Sequence, residues 1–286
     1  MDLAICVRNL PARRIAEVGR FAEDHGYSEV FVPDGATAGR TDGDGRLVGR
    51  DTGVAFAAMF TSTTTVRGTL GVAATPMHQR LILPVTASTL SELSGGRFSL
   101  GLGVSHPEQT ARFGVSFPDK PLEYMRDWVR DMKHRSADGM AHGGGWDVLL
   151  AALGPRMVEL GARDADGLIL NWLTPEAAAA SVRRVKEVAG PGSPRRVVLY
   201  TRLMTTEEAR ADAAAYDALG NYHRNFVAQG LRTPDEIALG TTLPRDDLGA
   251  TAARLDAYRA SGLDAVCLYP PRFEREDLQA LEALAS

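Results

Sequence analysis

The sequence predicts one (β/α)8 barrel, and three observations carry that prediction. The chain has 286 residues, which suits one large domain or two small ones. Eight short apolar, β-branched runs recur from end to end, at residues 3–7, 29–32, 66–72, 98–104, 147–152, 167–170, 196–203 and 265–269. Helical patterns lie between them, and most of the runs are continuously apolar, as parallel strands covered on both faces require. A doubly wound sheet is the alternative, but it usually needs fewer strands and gives no reason for eight.

The elements follow in order. After the first run, residues 11–25 place Ile15, Val18, Phe21 and Ala22 on one helical face. Helices over 52–63 and 81–93 flank the third run. The helix over 121–134 carries Tyr124, Trp128 and Met132 at helical spacing. The helix over 155–163 opens with Pro155 at its first position, where the missing N–H costs nothing. Thr174-Pro175-Glu176 caps the next helix, and residues 206–219 form the helix after the seventh run. Residues 221–262 exceed a simple connection. Within them Thr233-Pro234-Asp235-Glu236 reads as a capping box, and 245–260 as a further helix. A last helix covers 273–284. The expected organisation is one domain, 1–286, with a helical insertion at 221–262 after the seventh strand.

Composition narrows the function. A net charge of -4 leaves no general field for nucleic acid or an anionic membrane. With 44% apolar and 24% charged residues, the chain is ordinary globular protein. Cys6 and Cys267 are too few for a disulfide framework or a zinc site and read as buried thiols. The first residues carry no secretory pattern, and no apolar window reaches the roughly 18 residues of a membrane span. The expectation is a cytoplasmic protein with a small-molecule substrate and neither a nucleic-acid nor a membrane partner.

In such barrels chemistry sits at the carboxyl ends of the strands. That selects 7–11, 33–50, 73–80, 104–109, 152–156, 171–175 and the residues after 203. The glycine-rich stretch 35–50 reads equally as a lid or a loose loop. Common chemistries are missing. The six histidines are scattered, with no HExxH and no HxH near the first strand. Gly101-Leu102-Gly103 lacks the third glycine of a dinucleotide fingerprint. No nucleophile elbow is present, and no lysine falls at a strand end to form a Schiff base. A lightly charged, apolar, glycine-rich mouth remains, suited to a flat, largely uncharged cofactor.

Four segments, in this order and spacing, carry a resemblance. They are Leu70-Gly71-Val72-Ala73-Ala74-Thr75-Pro76; Ser94-Gly95-Gly96-Arg97-Phe98 running on to Gly101-Leu102-Gly103-Val104-Ser105-His106; Ala152-Leu153-Gly154-Pro155-Arg156-Met157 with Ala165-Asp166-Gly167; and Gly262-Leu263-Asp264-Ala265-Val266. Together they resemble the bacterial luciferase-like monooxygenase superfamily, and more narrowly its branch dependent on the deazaflavin coenzyme F-420. Asn221-Tyr222-His223-Arg224-Asn225-Phe226 is similar to actinobacterial members. The resemblance spans residues 2–285.

The resemblance implies a (β/α)8 barrel with a flavin or deazaflavin in its mouth. It implies a non-prolyl cis peptide at Gly71-Val72, backing the ring. It places the cofactor phosphate at Gly154-Pro155, where free amides and the helix dipole face the mouth. Asp34 would lie near the ring, and Thr75, Gly103, Val104, Ser105 and Asn171 would join the cofactor contacts. His106, just past the fourth strand, would be the catalytic acid or base, since an imidazole exchanges protons near neutral pH. Glu108 is the substitute. Tyr222 and His223 reach the mouth or stay structural, and Trp172 walls the cofactor or packs under a helix. The sequence departs from many relatives in having Asp34-Gly35 where they carry Asp-His. The 138–145 segment is also short and glycine-rich.

The implied activity is F-420-dependent hydride transfer to a C=C, C=N or C=O group of a small organic substrate, by a chain that could pair as a homodimer. Two alternatives stay open: a reduced-FMN-dependent monooxygenase, and a non-catalytic flavin-binding barrel.

Overall fold

The structure, a computed structural model, describes residues 1–8, 10–34, 50–138, 144–190, 192 and 194–285. The 35–49 stretch and residues 139–143 of the two loops noted above lie outside the described residues.

The first half runs β1 (Asp2–Cys6), α1 (Ala12–Asp24), β2 (Glu29–Val32), α2 (Thr52–Phe60), β3 (Arg67–Ala74), α3 (Ile82–Ser94), β4 (Phe98–Gly103), α4 (Pro107–Arg112) and α5 (Pro121–Asp138). The second half runs β5 (Asp147–Ala151), α6 (Pro155–Asp164), β6 (Gly167–Asn171), α7 (Pro175–Ala189), β7 (Arg196–Met204), α8 (Thr206–Asp217), α9 (Gly220–Ala228) and α10 (Pro234–Thr241). It ends with β8 (Leu243–Pro244), α11 (Leu248–Ala260), β9 (Ala265–Tyr269) and α12 (Arg275–Ala285).

Strands β1 to β7 pair in parallel in chain order, and β9 closes the ring between β7 and β1. The ring has eight strands, the eight read from the sequence. The two-residue β8 is a branch that pairs only with the end of β7, Leu203 opposite Leu243. The sequence reading missed it, because two residues carry no periodicity. It also missed α4 and α9, which are short and polar.

Two apolar layers hold the fold. Inside the ring lie Ala4, Cys6, Phe31, Leu149, Ile169, Val198, Tyr200, Ala265 and Cys267. Outside it, the strands' other faces meet the helices; α5 turns Met125, Trp128, Val129 and Met132 inward at helical spacing. The foot of the barrel is closed by Glu29, fully buried, which accepts from Thr69 and pairs with Arg196 at 2.5 Å.

Local signals fix the helix ends. Thr174 accepts from the Ala177 amide, and Thr233 forms the capping box with Glu236. Gly95 ends α3 at φ +66 and Gly96 follows at +84, a turn an L side chain resists. Arg97 then ties that turn down, donating to the Val66 carbonyl at 2.7 Å and lying 5.0 Å over the Phe60 ring. The Ser94–Phe98 part of the motif is therefore scaffolding at the foot of the barrel.

The helices after β7 divide by position. Helix α11 packs against α7 and α12 in the outer ring. Helices α8, α9 and α10 pack on one another around Trp172, Met204, Tyr222, Phe226 and Ile237.

Candidate functional site

Side chains alternate along a strand, so parity selects what points into the mouth. Val198 and Tyr200 are interior, so Arg202 follows them inward. Ala4 and Cys6 lead to Arg8, and Ile169 leads to Asn171. The mouth has two contrasting sides.

The side made by β3 to β6 is apolar and glycine-lined. Gly71-Val72 is cis, as the resemblance implies. Between Leu70 and Ala73 the register against β4 shifts, and Val72 packs against the interior cluster. The Tyr200 hydroxyl donates to the Gly71 carbonyl at 2.8 Å. A Cβ on Gly71 would overlap that hydroxyl, and one on Gly103 would sit 2.7 Å from Val72 Cγ2. Thr75, fully buried, donates to the Gly103 carbonyl at 3.0 Å and ties the two strand ends together. Val72, Ala151 and Asn171 stay half-buried in spite of their place in the ring. Val104 instead packs against the outer core. Ser105 adopts φ +68 and donates to Gln109 at 3.4 Å.

His106 is the residue before α4. Its Nδ1 lies 3.1 Å from the Asn221 amide nitrogen, and its ring centre 5.4 Å from that of Tyr222. An amide N–H can only donate, so Nδ1 accepts and Nε2 carries the ring proton. Burial lowers the His106 pKa from its ordinary 6.5, against the opposing pull of the Glu108 carboxylate. Glu108 itself is exposed on the first turn of α4. Gly154 precedes α6 with no side-chain cap, a Cβ there would meet nothing within 4 Å, and Pro155 opens the helix exposed.

Asp34 ends the second strand's loop half-buried, 2.5 Å from His78 Nε2. The carboxylate that lacks a following histidine in sequence thus meets one from the loop after β3.

The side made by β7, β9 and β1 corrects the expectation of a lightly charged mouth. Arg202 is 1% exposed. It pairs with Asp212 of α8 at 3.1 Å and donates to the Asn171 side-chain oxygen. Its guanidinium lies 4.1 Å over Trp172 and 4.8 Å over Tyr216. With its oxygen turned to Arg202, Asn171 donates to the Tyr222 hydroxyl at 2.9 Å. Burial raises the Tyr222 pKa, which keeps the hydroxyl protonated. Arg8 lies 4.7 Å over the Tyr269 ring. Of the insertion residues, Tyr222 reaches the mouth, while His223 is exposed and pairs with Asp217 at 2.9 Å. Trp172 packs under the α8 and α9 helices against Tyr216 and Phe226, at φ +56. Strand parity could have found Arg8 and Arg202. His78 lies in the 73–80 segment already selected, whereas nothing local marks Asp212 as a neighbour of the mouth.

A closed ring of eight parallel strands with a bulged third strand defines a TIM-barrel fold. The sequence profile of the family described as luciferase-like monooxygenase matches residues 7–264, and the chain belongs to that family. A 5,10-methylenetetrahydromethanopterin reductase from Methanolobus tindarius is 22% identical over 289 residues, covering 90% of this chain and 85% of that protein. An F-420-dependent secondary alcohol dehydrogenase, solved with an F-420–acetone adduct, matches with a TM-score of 0.79 at 13% identity, over 99% of this chain and 97% of that one. The monooxygenase RslO1 from Streptomyces bottropensis matches at 0.70 and 16% identity, over 100% and 98%. At such identities the structural likeness speaks for the fold.

Proposed function

We propose that this protein is a coenzyme F-420-dependent oxidoreductase that transfers hydride between that cofactor and a small organic substrate. The observation that carries the reading is the β3–β6 side of the mouth. There Gly71, Gly101 and Gly103 make room for the Tyr200 hydroxyl, Ile169 and the Val72 methyls, so that Val72 lies close against the strands and leaves a half-buried apolar surface. That surface fits one face of a flat ring. The open helix start at Gly154 fits a phosphate, because unpaired amides and the helix dipole favour an anion there. When bound, the cofactor supplies the hydride chemistry from its ring carbon.

The chain's own residues would do the rest. Val72 and the β3 bulge back the ring. Asn221 holds His106 in one tautomer, so the neutral imidazole presents a defined N–H at Nε2. His106 would give or take the proton that balances hydride transfer at the substrate's other atom. Asn171 holds the Tyr222 hydroxyl beside it.

The reductase and the alcohol dehydrogenase among the similar proteins support this reading. The RslO1 likeness favours a second one, a reduced-FMN monooxygenase on the same fold. Paired fluorescence titrations with coenzyme F-420 and FMN test the choice. Tight binding of F-420 alone is the expected result. Tight binding of FMN alone, followed by substrate-dependent oxygen uptake, would replace the proposal with the monooxygenase.

A further inference from the structure

Beside Arg202 the mouth holds two more arginines, and among the described residues neither pairs with a carboxylate. Arg8 is half-buried, and its one contact of note is the Tyr269 ring at 4.7 Å. Among the described residues it has no hydrogen bond and no ion pair. Arg50 donates weakly to the Val7 carbonyl at 3.4 Å, at the end of β1. Its Nε is buried without a partner, and so is the Tyr269 hydroxyl. Asp212, which acts on Arg8 through space, is already paired with Arg202. Two guanidiniums and an orphaned hydroxyl thus gather where β1 and β9 end. Burying such charge is costly unless a partner arrives. Burial also lowers the pKa of Arg50, the direction expected of a cation that lacks its anion.

We propose that this corner is an anion subsite, where Arg8 and Arg50 bind a carboxylate, phosphate or sulfonate group of the substrate and Tyr269 donates to it. The inference deepens the proposed function and rests on it, because it makes the hydride partner an organic anion. Guanidinium forks suit such groups. The cofactor phosphate is a less fitting occupant. Its proposed place follows β5, and β1 lies four strands from β5 in either direction around the ring of eight.

The experiment uses the whole protein with Arg8→Met and Arg50→Met. Inorganic phosphate and malonate are added against chloride at equal ionic strength, and the melting temperature is followed. Coenzyme F-420 and its tail-less deazaflavin core, which lacks the phosphate and acidic tail, are then titrated by fluorescence. Phosphate or malonate should raise the native Tm, and each substitution should weaken that anion at least tenfold. Affinity for F-420 and for the core should be unchanged in both variants. No anion effect, or one that survives both substitutions, overturns the subsite. Weakened F-420 binding with an unchanged core reassigns the anion to the cofactor and overturns the substrate class. If the native protein binds neither F-420 nor its core but keeps the arginine-dependent anion effect, the oxidoreductase reading fails while the anion site stands.

Discussion

The Tyr200 hydroxyl donates to the Gly71 carbonyl at 2.8 Å, reaching across the barrel interior from β7 to the bulge of β3. Both groups are buried, so neither has water to fall back on. Tyr200→Phe should cost about 1–3 kcal/mol by leaving that carbonyl unpaired. Gly71→Ala should cost at least as much, because its Cβ would overlap the hydroxyl and press on Phe31. The double variant is the sharper measurement. Removing the hydroxyl makes room for the methyl, so the two losses should sum to less than their parts in urea unfolding. Strict additivity would mean that the two residues are not in contact.

His106 gives a prediction in pH. Its folded pKa lies below the ordinary 6.5, chiefly through burial. Between the folded value and 6.5 the unfolded chain therefore binds more protons than the folded one. Stability should be flat with respect to this group above about 6.5 and should fall as pH drops through that window. His106→Asn removes the window, so the native-minus-variant difference in urea midpoint should shrink from pH 7.5 to pH 5.5. On the proposed function, His106→Ala should also lower turnover by roughly 100-fold while coenzyme affinity stays near normal. Undiminished turnover would strip His106 of the proton-transfer role.

Arg202 and Asp212 are a buried pair, with side chains 2% and 15% exposed. Breaking such a pair from one side leaves the other charge stranded. Arg202→Met should cost about 3–5 kcal/mol in urea unfolding. Adding Asp212→Leu should return a good part of it, since the acid then needs no cation. The same substitution frees the Asn171 oxygen. Asn171 can then turn over, and Tyr222 loses its fixed partner. A double variant no more stable than the single one would show that the arginine matters for something other than this acid.

The scaffold was legible because it repeats. The eight runs are mostly apolar, 167–170 and 265–269 throughout, and several helices between them carry local start signals such as Thr174 and Thr233. The cis Gly71-Val72 bond was what the family resemblance implied, and the open start at Gly154 was read from Gly154-Pro155 itself, both in contiguous sequence. The charged side of the mouth did not. Arg8, Arg50, Arg202 and Asp212 come from four segments spread over most of the chain, and only the closed ring brings them together. The Asp34–His78 contact is of the same kind, joining the ends of two adjacent strands across 44 residues. Short polar helices were missed for a third reason. Helix α9 is set by what it covers, Trp172 and the mouth, and carries little apolar periodicity of its own.

Gly154 separates binding from stability. A Cβ there would meet nothing within 4 Å, and the residue sits at φ -91, where any L residue is comfortable. Gly154→Asp should therefore fold as well as the native chain. The new carboxylate would cap the first amides of α6 and even favour the helix slightly, by a few tenths of a kcal/mol. The same two effects work against a bound phosphate. The amides that would receive it are taken, and a like charge stands in front of them. Coenzyme F-420 should bind at least tenfold more weakly, and its tail-less core, which has no phosphate to lose, should bind as before. Gly154→Ala controls for bulk and should leave both affinities unchanged. Equal F-420 affinity in native and Gly154→Asp proteins would move the phosphate away from α6, and the ring's orientation in the mouth would have to be argued afresh.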